Sequence, residues 1–486
     1  MTVVNSVEDL PEDVKEMMAR TRKNPISVFL EMYMQIFKEA PKVFVQNLPG
    51  DVKGSFFFVT SVRIGNVEVK GLPHRTKKVA KLDCFVKGIK VLCEQFTVEI
   101  AKSSQELEFK QESTFFELLR KHTYSKFYQL SSERPETILS EKVIASIFLI
   151  TRSDAGSRAE IISLATGNKG LRGDLLSLHG CSVNDCHAEI IARRGLLRFL
   201  YAQVILFTKT PAQSIFVKNT ETKKLAVRKG LSFHMFVNTA PCGDARVYSF
   251  NDAGLVNANE AETNSLLRFK VENGMGTVLG RFPETLAPQT IDGIAGGERV
   301  RTMSCSDKMM RWNVLGIQGG LLSLILDPIY LSSVAVADKA DGKRMERALF
   351  GRLEGFQPKA PFHLNKPFIG KCQGDASSRE STAGSPISVN WNIADDSMEV
   401  LRTTFGRIDA HTPEEVSRLS KKEMAMLFKK VCSSIGLPVP EGYTYENIKV
   451  HCKQHQEGKL ALENWLREQK LGMWQSKPEE VSMFVV

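Results

Sequence analysis

The sequence of 486 residues has no apolar stretch of the length a membrane helix needs. Its longest apolar runs, Val143 to Ile150 and Gly319 to Leu326, fall far short of the roughly 20 residues that cross a bilayer, so no transmembrane segment and no membrane partner is expected. The charged-then-apolar N-terminal segment of a secreted chain is missing too. The nine cysteines are odd in number and scattered, without the dense spacing of a disulfide framework, which points to a reducing, intracellular setting. Internal repeats and coiled-coil periodicity are also absent. Acid is the scarcer charge: Asp and Glu number 55 against 65 for Lys and Arg, a formal net charge of +10. A surplus of that sign suits a protein that meets a polyanion, although a solvated surface produces it as well.

At this length the chain exceeds one ordinary core, and two or three domains are expected. Asn24-Pro25 reads as a helix start, because Asn caps and Pro is tolerated in the first turn, and Ile26, Phe29, Leu30, Tyr33 and Ile36 follow at helical spacing. Lys42 to Gln46, Ser55 to Arg63 and Asn66 to Lys70, rich in Val and Phe and parted by Gly-containing turns, read as an antiparallel meander. A second helix over Lys77 to Cys93 completes an α-β-β-β-α unit, placed at residues 20–95. Residues 96–137, mixed and charged, read as a linker with a short helix at Thr114 to Leu119. From 138 to 486, strands such as Val143 to Ile150 and Ala159 to Ala165 alternate with helices such as Glu189 to Ala202, the pattern of a mixed α/β domain. Gly370 to Ser385 reads as a surface loop within it.

Three segments carry chemistry. Asn184-Asp185-Cys186-His187-Ala188-Glu189 leads into an amphipathic run, so an imidazole and a carboxylate two residues apart can face one cavity from a helix N-terminus. Alone, that pair is common by chance. Thr239-Ala240-Pro241-Cys242-Gly243-Asp244-Ala245-Arg246 follows the apolar segment His234 to Asn238, which places Cys242 past a strand, where a helix is expected to begin and to favour the thiolate. The zinc deaminase signature asks for a second Cys three positions later, and Ala245 stands there instead. Thr302-Met303-Ser304-Cys305-Ser306-Asp307-Lys308 supplies a candidate.

Taken together, with Ser388-Val389-Asn390-Trp391 and Trp474-Gln475-Ser476-Lys477-Pro478, these segments closely resemble the adenosine deaminases that edit double-stranded RNA, over residues 138–486. The resemblance implies an α/β fold: a cytidine-deaminase-like mixed sheet with flanking helices, preceded by the α-β-β-β-α domain. It implies His187, Cys242 and Cys305 as zinc ligands and Glu189 as the proton shuttle in converting adenosine to inosine. It further implies a buried inositol hexakisphosphate held by Asn184, Arg193, Arg194, Lys308, Arg311, Lys421, Tyr445, Lys449, Lys459, Trp474 and Lys477, with Gly320 and His455 departing from the family pattern. Lys169, Arg246, Lys270, Met275 and Arg299 match positions that handle RNA.

The loop Lys270-Val271-Glu272-Asn273-Gly274-Met275-Gly276-Thr277 carries Met275 where editing enzymes carry a Glu that fills the gap left by the flipped base. Methionine can wedge but makes no strong hydrogen bond. One RNA-binding domain joined to such a deaminase domain resembles the adenosine deaminase domain-containing, or testis nuclear RNA-binding, proteins, which implies a nuclear setting and a role in germ-cell RNA processing. In the first domain, Thr76-Lys77-Lys78-Val79-Ala80-Lys81 resembles the Lys-Lys-x-Ala-Lys signature of double-stranded-RNA-binding domains. The loop Leu48 to Gly54 lacks that family's Gly-Pro-x-His. Three functions stay open: a silent deaminase fold that binds double-stranded or structured RNA, a live deaminase acting on an already unpaired adenosine, and a dimerisation or partner-docking module.

Overall fold

A computed structural model describes residues 24–49, 56–65, 67–95, 112–153, 156–246, 265–271, 277–279, 288–338, 341–373, 384–408 and 415–486, with residues 15 and 18. The chain divides into two compact units, Met1–Leu139 and Ser140–Val486.

In the first unit, helix α1 (Pro25–Phe37) starts where Asn24 Oδ1 accepts from the Ser27 amide at 2.9 Å, so the expected cap forms. Strands β1 (Val43–Pro49), β2 (Phe56–Ile64) and β3 (Val67–Lys70) form an antiparallel sheet in sequence order. Helix α2 (Lys77–Gln95) is capped by Thr76 Oγ1 on the Val79 amide at 3.3 Å. The two helices meet where the Phe29 and Phe85 rings lie 4.4 Å apart, and Gly88 lets them close, since a Cβ there would stand 2.5 Å from the Phe29 ring. The stretch expected to be a linker contains a 22-residue helix, α3 (Glu112–Glu133), far longer than the turn or two anticipated at Thr114 to Leu119. Its buried Phe116, Leu119, Phe127 and Leu130 form a helical stripe that the intervening charges obscure.

The second unit is built on a seven-stranded mixed sheet. Its strands are β4 (Ile144–Ser153), β5 (Gly156–Thr166), β6 (Leu231–Thr239), β7 (Leu331–Asp338), β8 (Phe368–Lys371), β9 (Ile387–Asn392) and β10 (Ser397–Arg402), in the order β8-β7-β6-β4-β5-β9-β10. β6, β7 and β8 run parallel, and the other neighbours are antiparallel. β8 takes in Gly370 and Lys371, the start of the expected surface loop, of which 374–383 lie outside the described residues. Helix α4 (Ala188–Lys209) packs across β4, β5 and β9, burying Ile191, Leu196, Phe199 and Leu200. Helices α5 (Cys305–Leu315), α6 (Lys421–Ser434), α7 (Tyr445–His451) and α8 (Lys453–Glu468) complete the layer. No helix among the described residues is long and apolar enough to cross a membrane.

The topology puts chemistry at one end of this sheet. β6 and β7 run parallel and finish together, Thr239 beside Asp338, and crevices beyond the carboxyl ends of parallel strands are where α/β proteins bind ligands. Cys242 lies in the loop leaving β6.

Candidate metal centre and the basic interior behind it

His187 ends a short strand (Asp185–His187) paired with Asn168–Gly170, and is the N-cap of α4. Cys305 is the first residue of α5, whose N-cap, Ser304, accepts from the Asp307 amide at 3.2 Å. Cys242 sits in a bend after β6. The helix expected at Cys242 does not form among the described residues, where Gly243 to Arg246 make a turn. The helix N-termini belong to His187 and Cys305 instead. Close approach is the reason: Gly243 has φ +112°, and a Cβ there would stand 2.3 Å from the hydroxyls of Ser304 and Ser306. Ser306 donates its amide to Cys242 O at 3.0 Å, and Cys305 donates its own to Cys242 Sγ at 3.3 Å.

One donor atom each from His187, Cys242 and Cys305 thus lies within 4.8 Å of the others. One imidazole and two thiols at that spacing are the donor set and the scale of a tetrahedral zinc site with three protein ligands. The Cys242 thiol is pulled well below its usual range by the hydrogen bond from Cys305, with Lys270 and His187 assisting. Asp185 Oδ1 lies 2.7 Å from His187 Nδ1, which orients the ring and leaves its other nitrogen to face the thiols. Lys270 Nζ lies 2.9 Å from Asp185 Oδ2, 3.2 Å from His187 Nδ1 and 3.6 Å from Cys305 Sγ. Lys308 also binds Asp185 Oδ2.

Glu189 is the acid of the first turn of α4 and is 2% exposed. Its Oε2 is buried without a hydrogen-bond partner. Burial raises its pKa above the ordinary carboxylate value, against His187, which lowers it. A carboxyl so placed can hold or release a proton at neutral pH.

Behind the metal centre the structure gathers the basic set. Arg193 lies over the Trp312 ring at 5.2 Å, Arg311 over Trp474 at 3.2 Å, and Lys421 and Lys449 over Tyr445 at 5.9 and 5.4 Å. Arg311 pairs with Glu463 and Lys449 with Glu446. Arg193, Arg194, Lys421 and Lys477 reach only carbonyl and hydroxyl oxygens. Burial first, then the neighbouring Lys449, pulls the Lys421 ammonium down to about 7, and burial with Lys308 does the same to Lys477. Lys459, pulled down by burial, feels Arg311 and Lys449. Asn184 is half-buried one residue before Asp185. Cations this buried are ordinarily paired with anions.

A family model described as the adenosine-deaminase (editase) domain matches residues 163–478. The chain belongs to that family. It is 37% identical over 389 residues to the mouse double-stranded RNA-specific adenosine deaminase, covering 76% of this chain and 33% of that protein. It is 37% identical over 360 residues to the Drosophila melanogaster double-stranded RNA-specific editase Adar, covering 72% and 52%. With the human tRNA-specific adenosine deaminase 1 it shares 26% over 453 residues, covering 67% and 88%. The chain therefore spans between a third and a half of the length of the first two relatives.

In this editase-family chain the expected RNA-handling residues separate. Lys77 and Lys78 are exposed and Lys81 is half-buried on α2; Arg299 is exposed, and Lys169 and Arg246 are half-buried. Met275 lies outside the described residues. Lys270, expected to face RNA, turns its ammonium inward to Asp185, with a side chain only 12% exposed. Its strand, Arg268–Val271, alternates, and pairing with Arg301–Met303 directs Lys270 to the centre. Sequence reasoning also missed Asp185, although a carboxylate two residues before a ligand His is a readable orienting partner.

Proposed function

We propose that this chain is a zinc-dependent RNA adenosine deaminase that acts on structured RNA whose target adenosine is already unpaired and edits fully paired RNA weakly. The carrying observation is the buried, unpartnered Glu189 Oε2 beside the His187, Cys242 and Cys305 cluster. Zinc held by those three residues would supply Lewis-acid activation of a water. Glu189 takes the proton of that water as its oxygen adds to C6 of adenine, then delivers protons to the ring nitrogen and the departing amine, so inosine and ammonia leave. Asp185 holds the Nδ1 proton of His187 and fixes the ring. Lys270 and Lys308 balance the charge of Asp185, and Lys270 also faces Cys305.

The N-terminal α-β-β-β-α unit acts in this reading as a double-stranded-RNA-binding domain, with Lys77, Lys78 and Lys81 on phosphates. The basic interior holds inositol hexakisphosphate, whose phosphates supply the anions that Arg193, Arg194, Lys421 and Lys477 otherwise lack. Denaturing the purified chain should release it, detectable by mass spectrometry. Release of no polyphosphate would overturn that assignment.

Met275 favours a second reading, a silent deaminase fold that binds RNA in the nuclear RNA processing of germ cells. Inosine formation decides between the two. The first reading expects inosine on RNA with a mismatched or unpaired adenosine, lost in Glu189→Ala. It also expects Met275→Glu to help a perfect duplex more than the unpaired substrate, because an unpaired base needs less extrusion. A hydrogen bond to a charged group is worth roughly 1.5–3 kcal/mol, about a tenfold to hundredfold gain. No inosine on either substrate, with zinc bound and Met275→Glu in place, establishes the binding-protein reading.

A further inference from the structure

One pair of charges near the metal centre belongs to no step described so far. Arg352 and Asp307 form a salt bridge with both side chains at 0% exposure, and a pair that deep offsets its desolvation only when its other hydrogen-bonding positions are also filled. Asp307 accepts from Ser304 Oγ at 2.7 Å and from the Arg268 amide at 2.8 Å. Arg352 Nη1 donates to Ser265 O at 3.2 Å and Leu266 O at 3.5 Å. Every one of these partners adjoins a residue of the centre. Ser304 is the N-cap of the helix that begins at Cys305, and Ser265 to Arg268 lead into the strand that carries Lys270.

We propose that Arg352 is a positioning residue of the metal centre: through Asp307 it sets the N-terminus of α5, and with it the Cys305 and Cys242 thiolates and the Lys270 ammonium, in one arrangement. The coupling to Cys242 passes through contact. Gly243 presses on Ser304 and Ser306 so closely that no Cβ fits, and the amides of Cys305 and Ser306 bind Cys242 Sγ and O. A shift of Ser304 therefore moves both thiolates together. A second ion pair holds the same loop from its other side: Arg347 Nε and Nη2 bind the Asp244 carboxylate at 2.9 and 3.0 Å. Lysine cannot replace Arg352, because one ammonium lacks the planar fork that serves Asp307 and two carbonyls at once.

This inference rests on the zinc reading, and its test keeps the two apart. The full-length wild type, Arg352→Met and Arg352→Lys are compared with Arg198→Met, which breaks a pair to Asp395 that bonds none of the site segments. Zinc release to a chelator is timed under conditions where all four give the same far-ultraviolet circular dichroism, and the visible spectrum of the cobalt(II) form reports ligand geometry. Both Arg352 variants should release zinc about 10- to 100-fold faster, the range that loss of an orienting partner brings, with an altered cobalt spectrum, while Arg198→Met keeps the wild-type rate and spectrum. If Arg352→Met fails to fold, Arg352→Lys carries the test alone. Arg352 variants that behave like Arg198→Met overturn the inference and leave the zinc reading standing. A wild type that takes up neither metal overturns both.

Discussion

Glu189 and Asp185 sit within a few residues of one another and do different work. Glu189 is buried with one oxygen unpartnered, while Asp185 spends both oxygens on His187, Lys270 and Lys308. Removing each should therefore fail differently. Glu189→Gln keeps the shape of the site and is expected to retain zinc while inosine formation falls about 10²- to 10⁴-fold, the range for a lost proton shuttle. Asp185→Asn should weaken zinc binding by about 10- to 100-fold, because it loosens the ring of a ligand. Metal analysis beside an inosine assay separates the two, and loss of zinc in Glu189→Gln would remove that carboxyl from the shuttle role. At this scale the sequence was legible where identity alone carries chemistry, as in His187, Cys242 and Cys305. It misled at Lys270, because a lysine next to an RNA-handling loop reads as surface, and only strand pairing turns its ammonium inward.

Elements were legible wherever periodicity and caps agreed. Asn24 and Thr76 cap α1 and α2 as their residue types suggest, whereas α3 was read as linker because Lys, Glu and Ser interrupt a stripe that only helical wrapping joins. β6 and β7 hold a polar link that no pattern announces. His234 on β6 is 5% exposed and lies 2.9 Å from Ser232 Oγ and 2.7 Å from Ser333 Oγ on β7. Burial, with Arg152 adding to it, lowers its pKa from 6.5 to about 4. The unfolded chain therefore binds a proton below pH 6.5 that the fold refuses, and stability falls as pH drops from 6.5 toward 4. By pH 5 this cost is on the order of 2 kcal/mol. His234→Asn loses the link at every pH but is free of that proton. Urea denaturation at pH 7.5 and pH 5 should show the variant less stable at the higher pH, with the gap narrowing at the lower. Parallel profiles would mean His234 does not titrate this way.

At the scale of the whole molecule, the surplus of basic residues is spent in two ways that composition cannot tell apart. Arg193, Arg194, Lys421 and Lys477 are turned into the second unit, whereas Lys77 and Lys78 stand exposed at the start of α2. Cations at a helix N-terminus oppose the helix dipole, so their placement weakens α2 locally and calls for an outside anion. Phosphates of an RNA duplex answer that demand, and each neutralised phosphate releases counterions, which makes affinity fall with salt at a slope that counts the contacts. Lys77→Ala combined with Lys78→Ala should therefore weaken binding to duplex RNA and flatten the plot of log affinity against log salt by roughly one to two units. Folding should be undisturbed, since both side chains are exposed. Arg299→Ala, on the second unit, should leave most of that slope in place if the first unit supplies the duplex contacts. An unchanged slope in the double lysine variant would assign α2 to protein contacts and leave RNA to the editase domain alone.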